Sequence, residues 1–254
     1  MEIFLSQTFL LACVIGVASG SVGAFIILKR MALVGDALSH VALPGIALAL
    51  AYHLDPLYGV LVFLIVAAFV VWWLEGKTKL PGDAVVGILF TASLAIGILT
   101  IPDTEILESL FGTFPEFSAP VLIVVVGTAC ILTFLLFLFA RRFLFSIVSP
   151  ELARIEGGGR RHELLLLIIF SFVVALGIKL VGTLLMGALT IIPASIAKNI
   201  SKSMTSYMLL SGFFGALISS GGIILSQVLG TLPGPTIILL GVGCFLCTLV
   251  VPRR

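Results

Sequence analysis

About nine stretches of roughly twenty apolar residues follow one another along this chain, near 6–28, 32–52, 57–74, 84–101, 118–140, 163–180, 182–197, 204–228 and 235–251. A helix of about 20 apolar residues crosses the hydrocarbon core of a bilayer, and lipid offers a bare backbone N–H or C=O no partner. A chain written this way is therefore confined to a bundle of transmembrane helices. Only 10% of its residues are charged. The longest polar segment, 141–163, has no room for a soluble domain, so the sequence predicts an all-α polytopic membrane protein of about nine spans, between eight and ten, in one domain over 1–254. No hydrolytic motif is present, and the chain is expected not to be an enzyme. Gly76-Lys77-Thr78 looks like the end of a phosphate-binding loop, but it lacks the upstream glycine and the preceding strand that such a loop requires.

The charges report topology. Basic residues gather at Lys29/Arg30, Lys77/Lys79, Arg141/Arg142 with Arg154, Arg160 and Arg161, Lys198/Lys202 and Arg253/Arg254, after every second span. Positive residues stay in the cytoplasm, which predicts an outer N-terminus and a cytoplasmic C-terminus. The first span has no basic leader region or small-residue cleavage site and is expected to be retained. Asp55, Asp103, Glu105 and Glu108 fall in outer loops. A net charge of +2 gives no reason to expect nucleic acid as a partner. The four cysteines lie in apolar runs, where cysteine packs as a small hydrophobe. Cys244-x-x-Cys247 lacks a second ligand pair and reads as helix packing.

Against this background the stretch Gly35-Asp36-Ala37-Leu38-Ser39-His40-Val41-Ala42-Leu43-Pro44-Gly45 stands out. A carboxylate near the middle of a membrane helix costs roughly 2.5 to 3.5 kcal/mol, so ionisable residues there mark functional sites. Asp36 and His40 are four apart and share one helix face, where carboxylate and imidazole together suit a first-row divalent ion such as Zn²⁺, Mn²⁺ or Fe²⁺. Counting from Arg30 places Asp36 in the cytoplasmic half of the membrane. Pro44-Gly45 is expected to break the second helix, and transporters place binding sites at such breaks. Two ligands do not fill a coordination shell; Ser39, Thr183, Met186 and Thr190 are candidates to line the rest of the path. The plainer reading of Asp36 and His40 is a polar pair that pins helices together. Lys179 reads as snorkelling to an interface, and His53 and His162 as solvated.

A second stretch, Ser149-Pro150-Glu151-Leu152-Ala153-Arg154-Ile155-Glu156-Gly157, carries the signals of a short cytoplasmic helix. Ser149 can cap it, Pro150 suits its first position, Glu151 complements its positive end and Gly157 its left-handed exit. Two turns are marginal in water alone, so this helix is expected to dock on something, whether another subunit or the membrane surface.

Arg30-Met31 with Gly35-Asp36-Ala37-Leu38-Ser39-His40 and Leu43-Pro44-Gly45, then Ser149 to Arg154 with Gly157, Val181-Gly182-Thr183-Leu184-Leu185, Ile191-Ile192-Pro193-Ala194 and Pro233-Gly234-Pro235 together resemble the permease subunits of bacterial zinc and manganese ATP-binding-cassette importers. The likeness runs nearly end to end. It implies a permease in the bacterial cytoplasmic membrane that pairs with a second copy or a similar chain. Two ATPase subunits would sit below, consuming the ATP, and an extracytoplasmic metal-binding protein would deliver the ion. No cofactor would be held permanently, since the divalent ion is the substrate. By the same resemblance Asp36 and His40 line the metal path, and 149–157 is the coupling helix received by the ATPase. The alternative is a proton-coupled secondary metal transporter, in which Asp36, His40 and Lys179 form a relay and no ATPase is needed.

Overall fold

The structure is a computed structural model and describes residues 2–78, 82–100, 110–111, 118–155 and 158–250. Among these, ten helices are laid out in order: α1 (Glu2–Leu28), α2 (Leu33–Ala51), α3 (Pro56–Lys77), α4 (Gly82–Thr100), α5 (Ala119–Val148), α6 (Pro150–Ile155), α7 (Gly159–Val181), α8 (Met186–Ile200), α9 (Met204–Leu229) and α10 (Pro233–Val250). Seven are long and apolar enough to cross a membrane, and α8 and α10 are shorter apolar helices, which agrees with a bundle of about nine spans. The anticipated outer-loop acids Asp103, Glu105 and Glu108, and the residues Lys79, Arg253, Arg254 and Gly157, lie outside the described residues.

α1 runs through the centre, against α5, α7, α8 and α9. With lipid outside, apolar area alone gives helices no reason to associate, and close approach through small residues takes over. A Cβ on Gly16 would fall 2.6 Å from the carbonyl carbon of Gly215, so α1 and α9 touch backbone to backbone there. The Ser219 hydroxyl reinforces the crossing by donating across it to the Ala12 carbonyl at 2.6 Å. Ser171 on α7 likewise donates to the Leu64 carbonyl of α3 at 3.1 Å.

One end of the bundle is bound by charge. Lys29 pairs with Glu75 of α3 at 3.4 Å and with Glu163 of α7 at 3.9 Å. Arg160 and Trp72 clasp each other: the indole N–H donates to the Arg160 carbonyl at 2.8 Å, and the guanidinium donates to the Trp72 carbonyl at 2.9 Å. That guanidinium also lies 4.6 Å from the centre of the indole ring. The ends of α1 and α3 and the start of α7 thus share one side, as the alternation of basic clusters requires. The clasp explains why α7 begins at Gly159 rather than near 163, taking Arg160, Arg161 and His162 into the helix.

The expected break at Pro44-Gly45 does not occur. α2 continues through Pro44 to Ala51, and α8 continues through Pro193 to Ile200. Proline removes one N–H and crowds one carbonyl, a defect that a packed helix absorbs. Gly45 serves contact instead: a Cβ there would sit 2.5 Å from the Gly59 carbonyl oxygen of α3. The crossing expected at 182–197 consists of a turn over 182–185, opened by Gly182 at a φ of 88°, and a fifteen-residue helix. α5 runs past its expected end, through Arg141 and Arg142 to Val148.

Both ends of α2 are set by the same turn. Arg30 at φ 59° donates to the Ile27 carbonyl, and Met31 reaches back to Ile26. At the other end His53 at φ 55° donates to Leu50, and Leu54 reaches back to Ala49. Each is a Schellman pair of hydrogen bonds around a left-handed residue. His53 is exposed there as a turn residue, and Asp55 then caps α3 by accepting the Leu57 N–H at 2.8 Å.

Candidate functional site

Asp36 falls in the first turn of α2 and His40 one turn later. The imidazole is buried, 5% exposed, while the carboxylate is half-buried. His40 Nδ1 lies 2.8 Å from the backbone carbonyl oxygen of Asp36. A carbonyl only accepts, so Nδ1 is the donor, and the neutral ring with its proton there presents the lone pair on Nε2. A metal-binding histidine is prepared in this way, with one nitrogen tied to a neighbour so that the other can ligate. Phe90 of α4 holds the ring from the side, edge to face, with centroids 4.8 Å apart.

The carboxylate is placed by α8. A Cβ on Gly35 would approach the Gly187 Cα to 3.2 Å, and a Cβ on Gly187 would collide with Oδ1 of Asp36. The acid therefore occupies the space that Gly187 vacates. Neither Gly187 nor Phe90 was anticipated. The available signal was a glycine in the opening turn of a short apolar helix, a residue type that marks close helix contact.

Of the residues expected to line a path, Ser39 adjoins the pair, fully buried, its hydroxyl donating to the Gly35 carbonyl at 2.6 Å. Met186 rests its thioether on Gly177 of α7, in the core. Thr190 donates to the Met186 carbonyl at 3.1 Å, and its own carbonyl meets Gly23 of α1. Thr183 is buried in the turn before α8. Met186 thus packs against α7, and Thr190 against α1. Pro44 makes a different contribution: the carbonyl of His40 loses the N–H that an ordinary residue at position 44 would offer it.

Among the described residues no three His, Cys, Asp or Glu side chains converge. One carboxylate, one imidazole nitrogen and nearby backbone oxygen can grip a divalent ion without caging it, and an ion held that way can also leave.

At the clasped end, Ser149 closes α5 and accepts the Ala153 N–H on its carbonyl at 3.0 Å, so the chain passes directly from one helix into the next. α6 has Ala153 turned inward, 3% exposed, with Leu152 and Ile155 outward at 56% and 81%. Pro150 and Glu151 are exposed, and Arg154 follows on the same helix. The Gly158 N–H returns to the Ala153 carbonyl at 3.2 Å.

The chain matches the family model described as "ABC 3 transport family" over residues 1–252. It is 30% identical to the manganese import system permease protein ScaB of Streptococcus gordonii, covering 99% of this chain and 92% of the relative. It is 29% identical to the high-affinity zinc uptake system membrane protein ZnuB of Haemophilus influenzae, covering 98% of both. Among solved structures, PsaBC from Streptococcus pneumoniae in complex with Fab contains a chain that superposes with a TM-score of 0.86 at 30% identity, over 98% of this chain and 91% of that one. The helical bundle, the match over almost its whole length and these relatives agree, and the chain belongs to the ABC 3 transport family.

Proposed function

We propose that this chain is the membrane permease of an importer that carries a divalent first-row metal ion, manganese or zinc, with iron also within the reach of its donors. The observation that carries the reading is the His40 ring, its Nδ1 proton committed to the Asp36 carbonyl and its Nε2 left to ligate beside the Asp36 carboxylate. In this reading the ion arrives from an extracytoplasmic binding protein at the outer loops and passes Asp36 and His40. It leaves on the side of Lys29, Arg160 and α6. The N-terminus is outside and the C-terminus cytoplasmic. ATP is consumed in separate ATPase subunits, and α6 transmits their closure through the outward Leu152 and Ile155. A second permease copy completes the pathway, supplying ligands that one chain lacks. Membership in a family of ATP-binding-cassette permeases does not favour the proton-coupled alternative.

The test is metal uptake by cells or proteoliposomes that carry the assembled transporter. Asp36→Ala and His40→Ala are each expected to reduce uptake by at least about tenfold, the loss that accompanies removal of a metal-site group, with membrane levels of the protein unchanged. Undiminished uptake in either variant would sink the site.

A further inference from the structure

Between the end of α5, α6 and the start of α7 lies a cavity of about 360 Å³ lined by Arg141, Arg142, Phe145, Ala153, Gly158 and His162. Two arginines and a histidine contribute to its walls, which are largely apolar, and no acidic residue lines it among the described residues. We propose that this cavity binds the phosphate of an anionic phospholipid, as a site separate from the metal path.

Depth argues for a lipid. Along α5, Arg141 comes about 33 Å after Ala119, which is where a hydrocarbon core of about 30 Å gives way to headgroups. Trp72 and Trp73 mark the same level on α3, since tryptophan collects at the membrane interface. Trp72 is clasped by Arg160, two residues before His162. The cavity therefore opens among headgroups rather than in the aqueous space beyond them.

The helix face argues for a whole lipid rather than a free phosphate. On α5, Ile131, Phe134 and Leu138 are exposed at 60%, 66% and 62% and follow at i, i+3 and i+7. At 100° per residue, Arg141, Arg142 and Phe145 fall on that same face. The cavity is thus the foot of a bilayer-facing apolar stripe, with room for acyl chains above it and cations at its base. Arg142 also leans over the Phe139 ring at 5.5 Å, a cation–π contact that holds its guanidinium against α5. Basic pockets between membrane helices are suited to anionic headgroups.

The inner wall has a consequence. Ala153 is the buried residue of α6 and also lines the cavity, so a headgroup seated there braces the short helix from above. Lipid charge would then influence how firmly α6 is held.

The experiment is native mass spectrometry of the full chain, released from nanodiscs containing equal amounts of phosphatidylglycerol and phosphatidylcholine. The wild type is expected to retain phosphatidylglycerol with a preference of roughly thirtyfold, the scale of two arginines at a charged surface. Arg141→Gln with Arg142→Gln is expected to abolish the preference, and the paired Lys replacements are expected to keep most of it. Equal retention of both lipids by the wild type overturns the proposal whatever the variants do. A preference that survives the double Gln change, in protein eluting at the wild-type volume, overturns the location. Inorganic phosphate at millimolar concentration is expected not to displace the lipid, and full displacement would identify a free-phosphate site instead. None of these readouts depends on metal transport, so the lipid site and the proposed metal path stand or fall separately.

Discussion

At Gly187 the absence of a side chain matters as much as the presence of one at Asp36. The Asp36 carboxylate fills the gap over the Gly187 backbone, so any Cβ there displaces the acid. Gly187→Ala is expected to lower metal uptake as severely as a change at Asp36. Overpacking of this kind costs about 1 to 3 kcal/mol, visible as a lower unfolding temperature. Wild-type uptake in Gly187→Ala would show that Asp36 can move without penalty. The pair Asp36 and His40 was readable in the sequence because four residues on a helix is a local relation, fixed by the helix repeat alone. Gly187 was not, because its meaning depends on which helix it meets. The same applies to Met186 and Thr190, one turn apart on α8, whose packing against Gly177 of α7 and Gly23 of α1 no spacing in the sequence could give: periodicity gives a helix its sides and leaves open what each side touches.

Among the elements, α2 shows how far a proline can mislead. Pro44-Gly45 reads as a break, yet in a bundle the neighbours hold the helix together and Gly45 finds its purpose against Gly59. The proline's lasting effect is chemical, since it removes the N–H that would ordinarily donate to the His40 carbonyl. Pro44→Ala restores that N–H. The expected result is a protein at least as stable as the wild type, with reduced uptake, read from thermal unfolding and transport in parallel. Equal uptake would remove the carbonyl from the pathway. α6 makes the opposite case: Ser149, Pro150 and Glu151 announced a short helix correctly, although Ser149 caps through its carbonyl and Gly157 lies outside the described residues. Since Leu152 and Ile155 are exposed, Leu152→Ser with Ile155→Ser should leave the fold intact and cut metal-stimulated ATP hydrolysis of the assembled transporter by about tenfold. Unchanged hydrolysis would exclude α6 as the docking element.

For the whole molecule, hydropathy and short connections were enough to give an all-helical bundle and nearly its number of spans, because the bilayer allows so few solutions. They did not give the order of packing. That α1 lies at the centre, joined to α9 through Gly16 and Gly215, follows from small residues that look alike wherever they occur. Orientation can be settled by labelling. With Ser203 exposed just before α9 and Leu54 exposed just after α2, Ser203→Cys in a cysteine-free background should react only with reagent on the cytoplasmic side, and Leu54→Cys only from outside. Reaction of Ser203→Cys from outside would invert the membrane topology.

The two matching turns around α2 decide what kind of machine this helix can belong to. Arg30 and His53 each close a short connection with paired hydrogen bonds, so α1, α2 and α3 are joined by stiff corners rather than by slack. A stave nailed at both ends does not swing by itself. Asp36 and His40 are thereby carried on a helix whose position is tied to α1 and α3. The turn over 182–185, tied to the bundle where the Leu184 N–H donates to the Leu110 carbonyl at 3.1 Å, leads into α8 and so sets Gly187 against the acid. The acid is thus seated by two helices whose places are both fixed, α2 by its paired corners and α8 by its contact at Gly187.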